Sequence, residues 1–263
     1  MSKLPRTVPS LAILALVALP PLAASAEDFR WQGKVAAGKT VEIKGINGGI
    51  EARAASGSEV LVTATKRGRD RELDEVKIEM IEHEGGVTVC AIYPSRKASR
   101  PNQCLAGEGH SSNSDNQVQV EFEVQVPRGV HFVGRTVNGG VEAVDLPADA
   151  FAYTVNGGVK VTAGGEVRAE TVNGSIRASM GRADGREPLS FKTVNGGITV
   201  ELPASVEADV HAETVNGGIE TDFPLTVKGK WVGRRIDGQI GAGGRRLELA
   251  TVNGSIALRK SSS

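Results

Sequence analysis

This 263-residue sequence has few aromatic residues (4%), only two cysteines and no net charge, with 31 Lys+Arg against 31 Asp+Glu. A neutral chain has no bulk positive field to draw in nucleic acid or anionic lipid, so a polyanion partner held by net charge is excluded. The 33 glycines follow no every-third-residue period, which excludes collagen. Disorder is excluded too, because 40% of the residues are apolar and Val, Ile and Leu recur in ordered patterns. After the first 26 residues no apolar run approaches the ~20 residues that a membrane-spanning helix needs.

That first segment reads as an export signal. Lys3 and Arg6 precede an apolar run from Leu11 to Leu22, and Ala24-Ser25-Ala26 supplies a small-x-small cleavage site. No cysteine stands at the site, which argues against a lipid anchor. Cleavage after Ala26 releases a chain without a transmembrane segment into the periplasm or the extracellular space. In such an oxidising compartment Cys90, in a strand-like run, and Cys104, in a polar loop, are expected to form a disulfide.

A repeat occupies most of the remainder. Thr136-Val137-Asn138-Gly139-Gly140-Val141 recurs from Thr154, Thr171, Thr193, Thr214 and Thr251, with degenerate copies around Asn47 and Asp237. The intervals from Asn138 to Asn253 are 18, 17, 22, 21, 21 and 16 residues. Periods near 20 indicate stacked units. The second and fourth positions before each Thr are mostly apolar, as in Phe132, Val167, Ala169, Leu189 and Phe191, with polar residues between them; alternation resumes after the glycines. That pattern is a strand with one buried face on each side of an Asn-Gly corner.

Asn-Gly between alternating runs is also a hairpin signal, so an antiparallel ladder or sandwich is the competing fold. The constant Thr, Asn and Ile columns favour an all-β solenoid in which each coil stacks on the one before it in sequence. The corner positions are then Asn47, Asn138, Asn156, Asn173, Asn195, Asn216, Asp237 and Asn253, expected as a buried amide ladder, with the following glycine taking positive φ. Residues 53–130 break the period with longer strands that would cap one end of the stack. The expected organisation is an export signal over 1–26, an N-terminal β region with one degenerate repeat and the disulfide loop over 27–130, solenoid repeats over 131–260 and a disordered tail over 261–263.

The Thr-Val-Asn-Gly-Gly-Ile units, the long strand ending Val126-Pro127-Arg128-Gly129-Val130 and the export signal together resemble the bacterial adhesin-like β-strand repeat family, domain of unknown function 4097. The resemblance implies a β-solenoid-like fold outside the cytoplasm, and some relatives are linked to envelope stress responses. It brings no catalytic residues.

Chemistry-bearing motifs are sparse. Gly33 to Thr40 spells a phosphate-loop pattern, but strand-like Val41-Glu42-Ile43-Lys44 follows where a helix is required. His83, His110, His131 and His211 lack ligand spacing, and His211 sits in an outward column. No catalytic, cofactor-binding or metal residues are assigned, and no cofactor is expected. The Val after each repeat Thr (Val137, Val155, Val172, Val194, Val215, Val252) forms either an exposed apolar stripe or a column turned inward by the corner. The expectation is a non-enzymatic envelope protein that binds an envelope protein or a glycan, or associates with itself. The alternative is a polysaccharide hydrolase or lyase built on a β-helix, which needs two carboxylates facing each other across a cleft.

Overall fold

The structure, a computed structural model, describes residues 28–97, 99–107, 112–227 and 234–261. The expected export segment, His110 and the last two serines lie outside the described residues. Within them the chain is all-β, with 21 strands and a single four-residue helix, α1 (Asp70–Leu73).

Alternating apolar residues build two long sheets that face each other. In order across the first sheet are β1 (Phe29–Gly33), β4 (Val60–Arg67), β7 (Gln119–Val126), β3 (Ile50–Ala54), β9 (Val141–Leu146), β11 (Val159–Ala163), β13 (Ile176–Met180), β15 (Ile198–Leu202), β21 (Ile256–Lys260) and β17 (Ile219–Thr221). The second runs β18 (Thr226–Val227), β19 (Arg235–Ile240), β16 (Ala208–Asn216), β20 (Arg245–Asn253), β14 (Leu189–Lys192), β12 (Val167–Glu170), β10 (Ala150–Tyr153), β8 (His131–Arg135), β2 (Thr40–Lys44), β6 (Gly86–Ile92) and β5 (Lys77–His83).

The repeats alternate between the sheets. Each sends one strand through the second sheet, turns at Asn-Gly, and returns through the first, so equivalent strands pair in parallel and in register. Val159 pairs with Ile176 and Ile176 with Ile198; on the other sheet Ala150 pairs with Val167. The competing antiparallel ladder is overturned across the repeats by this parallel register. The apolar columns meet between the sheets, where Phe132, Val167, Leu189, Phe191, Ile176 and Ile198 are buried. A side chain such as Leu or Ile is stabilised by about 1.5–3 kcal/mol on full burial, so repeating the pattern in every unit holds the two sheets together.

Stacking does not follow chain order at the C-terminal end. The unit containing Asn253 lies between those of Asn195 and Asn216, because β21 pairs with β15 on one side and β17 on the other. Its β20 likewise lies between β14 and β16. The outer side of β16 is occupied by β19, running antiparallel, so the last unit fills the place between two earlier ones.

Antiparallel strands close three of the four sheet ends: β4 and β1 beyond β7, β5 beyond β6, and β19 with β18 beyond β16. The fourth ends in the three-residue β17, where Arg259 pairs with Glu220 and Asp222. Short, charged edges resist further strand addition.

Candidate binding surface

At each Asn-Gly corner the chain passes from one sheet to the other, and the seven repeat asparagines form a continuous row. Asn138 Nδ2 donates to Asn47 Oδ1 at 2.9 Å, Asn156 to Asn138 and Asn173 to Asn156 at 2.8 Å, Asn195 to Asn173 and Asn253 to Asn195 at 2.7 Å, and Asn216 to Asn253 at 2.8 Å. Both ends have partners. Asn47 Nδ2 donates to the Asn116 and Val118 carbonyls, and Arg234 Nη1 donates to Asn216 Oδ1 at 3.3 Å. Asp237 stands outside this row, inside β19 and opposite His211.

The row is on the surface. Asn47 is half-buried and the other six asparagines are exposed, so the expected buried ladder is corrected to an exposed one. The buried members of the corner are the threonines: Thr136, Thr154, Thr171, Thr193, Thr214 and Thr251 are at most 5% exposed. Each Thr hydroxyl donates to the carbonyl of the glycine following Asn on the neighbouring rung, as from Thr154 to Gly139 at 2.7 Å and from Thr171 to Gly157 at 2.9 Å.

That glycine takes the expected positive φ at Gly48, Gly139 and Gly196, and at other rungs it is required for a second reason. At Gly157 and Gly174 an added Cβ would fall well inside 3.0 Å of the preceding rung's carbonyl, with no positive φ at either position. Close approach of stacked backbones excludes a side chain here.

The valine column faces outward. Val137, Val155 and Val172 are half-buried, while Val194, Val252 and Val215 are 39%, 38% and 49% exposed. The two outcomes left open for this column are therefore both met: Val137 packs against the core, and Val194, Val252 and Val215 on the last three rungs form an exposed apolar stripe beside the amides.

Cys90 and Cys104 are disulfide-bonded, with Cα atoms 5.5 Å apart. The bond ties the polar loop across the outward face of β2. There Glu42 is 5% exposed, and accepts hydrogen bonds from Thr88 Oγ1, Gly107 N and Arg135 Nε at 3.1, 2.8 and 3.1 Å. Lys44 donates to the Leu105 carbonyl at 2.6 Å, and burial lowers its pKa from the usual lysine value. Alternation alone would place both side chains in solvent.

A second cluster arises where β19 pairs with β16. His211 Nδ1 lies 2.6 Å from Asp237 Oδ1, and Arg235 Nε donates to Asp237 Oδ2 at 2.8 Å. The hydrogen bond from His211, followed by that from Arg235, holds the Asp237 carboxyl below its ordinary range. The sequence carries no signal for this contact, since the motif frame makes Asp237 a repeat corner.

The model of the Toastrack DUF4097 family matches residues 33–259. The chain belongs to this family. No curated protein matches it. Among solved structures, this Toastrack chain is similar to a putative cell adhesion protein from Clostridium sporogenes, with 13% identity, 89% of this chain and 99% of that chain covered, and a TM-score of 0.42. It is also similar to a putative adhesin from Bacteroides fragilis, with 11% identity, 89% and 96% coverage, and a TM-score of 0.28. No helix among the described residues of the Toastrack chain is long and apolar enough to cross a membrane.

Proposed function

We propose that this Toastrack protein is an exported, non-enzymatic β-solenoid of the bacterial cell envelope, and that its corner edge is a rigid surface for binding glycan. Parallel in-register pairing of successive repeats supports the solenoid. The charged, apolar and small-residue order of residues 1–26 and the Cys90–Cys104 bond support export to the periplasm or beyond.

One observation carries the binding reading. Each interior asparagine of the row spends one N–H and one oxygen lone pair on its neighbours, and a primary amide has a second of each. Six exposed amides thus present spare donors and acceptors at the strand spacing of roughly 4.8 Å, with valine methyl groups alongside. Sugar hydroxyls, which both donate and accept, and apolar sugar faces complement that pattern.

The test is retention of fractionated envelope polysaccharides by the mature protein, compared with an Asn156→Ala/Asn195→Ala variant that keeps its circular dichroism spectrum. Retention lost in the variant is the expected result; equal retention would overturn the amide row as the contact. Reducing or unsaturated ends appearing in the same incubations would favour the hydrolase or lyase alternative.

A further inference from the structure

The disulfide-tied loop carries charge of one sign. Between Glu84 and Glu108 the sequence has no Asp or Glu, yet it holds Arg96, Lys97 and Arg100. Overall neutrality removes a field that acts at a distance; it does not remove a local excess of charge.

The frame of this loop is fixed by bonds that leave the three charges free. The Cys90–Cys104 bond closes it. Asn102 Nδ2 donates to the Tyr93 and Ser112 carbonyls at 2.8 and 2.6 Å, and Asn102 Oδ1 accepts from Ser112 N at 3.1 Å, so one half-buried amide ties Tyr93 and Ser112 to the middle of the loop. Ser95 Oγ donates to the Arg100 carbonyl at 2.7 Å and accepts from Lys97 N at 3.2 Å, while Arg100 N donates to the Lys97 carbonyl at 2.9 Å. Arg96 Nε donates to the Asn113 carbonyl at 2.8 Å, which orients its guanidinium and leaves both Nη groups uncommitted. Among the described residues, Lys97 Nζ and the Arg100 guanidinium have no hydrogen-bond partner, and none of the three cations has an ion pair.

Arg96, Lys97 and Arg100 line a pocket of about 240 Å³ with Ser95, Asn102 and Ser112. No carboxylate lines it among the described residues. All of these residues except Ser112 lie within the segment that the disulfide closes. Cations held on one wall repel one another, and an anion placed among them relieves the repulsion. The pocket is smaller than the roughly 300–1,000 Å³ of a cleft that encloses a drug-sized ligand, which suits one charged group of a larger molecule. A phosphomonoester brings about −1.5 to −2 charge and three strong acceptor oxygens at pH 7, a match for three cations that a singly charged carboxylate does not make. Guanidinium forks fit phosphate oxygens, and an ammonium group adds a point charge. No large apolar side chain lines the pocket, and the Ser95 and Ser112 hydroxyls stand beside the cations, which favours a polyol over a lipid as the carrier of the phosphate.

We propose that this pocket binds the phosphomonoester group of a phosphorylated sugar. The inference goes beyond the corner-edge reading, because no repeat asparagine lines the pocket and loss of the corner contact would leave it standing.

The experiment is a titration of the 15N-labelled mature protein with glucose 6-phosphate, with glucose, and with vesicles containing phosphatidate, which presents the same group on a lipid. Glucose 6-phosphate should move the Lys97, Arg100 and Ser112 amides, inorganic phosphate should compete with it, and glucose should move none of them. Lys97→Gln and Arg100→Gln alter side-chain heads that make no bond in the loop's frame, so both variants retain the fold. Each should weaken glucose 6-phosphate about tenfold, equivalent to about 1.4 kcal/mol. Cys90→Ala/Cys104→Ala, with its circular dichroism spectrum unchanged, should weaken it as well, whereas a charged loop without a formed pocket would bind equally with and without the disulfide. Unchanged affinity in both charge variants, equal affinity without the disulfide, or no response to glucose 6-phosphate would each overturn the proposal. Vesicles bound in the absence of any response to glucose 6-phosphate would assign the pocket to a lipid headgroup and overturn the sugar as carrier.

Discussion

The conspicuous asparagine row and the hidden threonine column make opposite claims on stability, and the threonines should dominate. Thr171→Val keeps the shape of a 5%-exposed side chain but deletes the hydroxyl that donates to the Gly157 carbonyl at 2.9 Å. Among the described residues no backbone N–H reaches that oxygen, so the variant leaves a part-buried acceptor unpaired at a cost of about 1–3 kcal/mol. Asn173→Ala deletes two hydrogen bonds, at 2.8 and 2.7 Å to Asn156 and Asn195. Both lie at the surface, where water replaces the lost partner, which puts each at the low end of the roughly 0.5–1.5 kcal/mol range and the pair at about 1 kcal/mol. In a chain of this size 1 kcal/mol moves Tm by about 2–4 °C. Thermal and urea unfolding of both variants, followed by far-ultraviolet circular dichroism, should give the larger loss for Thr171→Val. A larger loss for Asn173→Ala, or none for Thr171→Val, would refute the assignment of the part-buried carbonyl to the hydroxyl.

Three further outcomes follow from particular contacts. Gly157→Ala, whose Cβ would overlap the Gly139 carbonyl, should abolish soluble folded protein, while Gly158→Ala, with only ordinary contact at 3.6 Å, should lie within about 0.5 kcal/mol of wild type by urea titration. Hydrogen bonding from Arg245, which is 5% exposed, holds the Glu166 carboxyl below its ordinary range. The stability from this pair is therefore present above the unfolded glutamate pKa and is lost as pH falls through the lower folded value. Glu166→Gln should accordingly lower stability at pH 7 and do so progressively less as pH falls below the ordinary glutamate range, by denaturant midpoints across pH. Replacing Cys90 and Cys104 with alanine should cost about 3 kcal/mol on the chain-entropy view of a loop this long. It should also speed hydrogen exchange at Gly107, whose N–H is held by Glu42.

The apolar columns could be read directly from the sequence, because a strand with one buried face must alternate and Phe132, Val167, Leu189 and Ile176 do so within each repeat. The partners of the asparagine row from Asn138 to Asn195 followed from the same periodicity. Its exposure did not, since strict alternation from a buried Thr136 turns Asn138 inward and only the corner's geometry turns it out. The placement of the Asn253 unit was equally illegible, as identical Thr-Val-Asn segments carry no label for which neighbour they join. The burial of Glu42 and the meeting of His211 with Asp237 depend on a loop and an antiparallel register that arise far away in the chain.

The interposed last unit has a consequence for how the molecule is made. A repeat protein stacked in chain order can grow one layer at a time as synthesis proceeds. Here the layer of β16 and β17 has no parallel neighbour until residues 245–260 have been produced, because β20 and β21 provide both of its parallel contacts. The final segment works as a keystone, and a chain shortened at its C-terminus would lose an inner course of the wall and leave an outer one detached. Completion must therefore wait for the whole polypeptide.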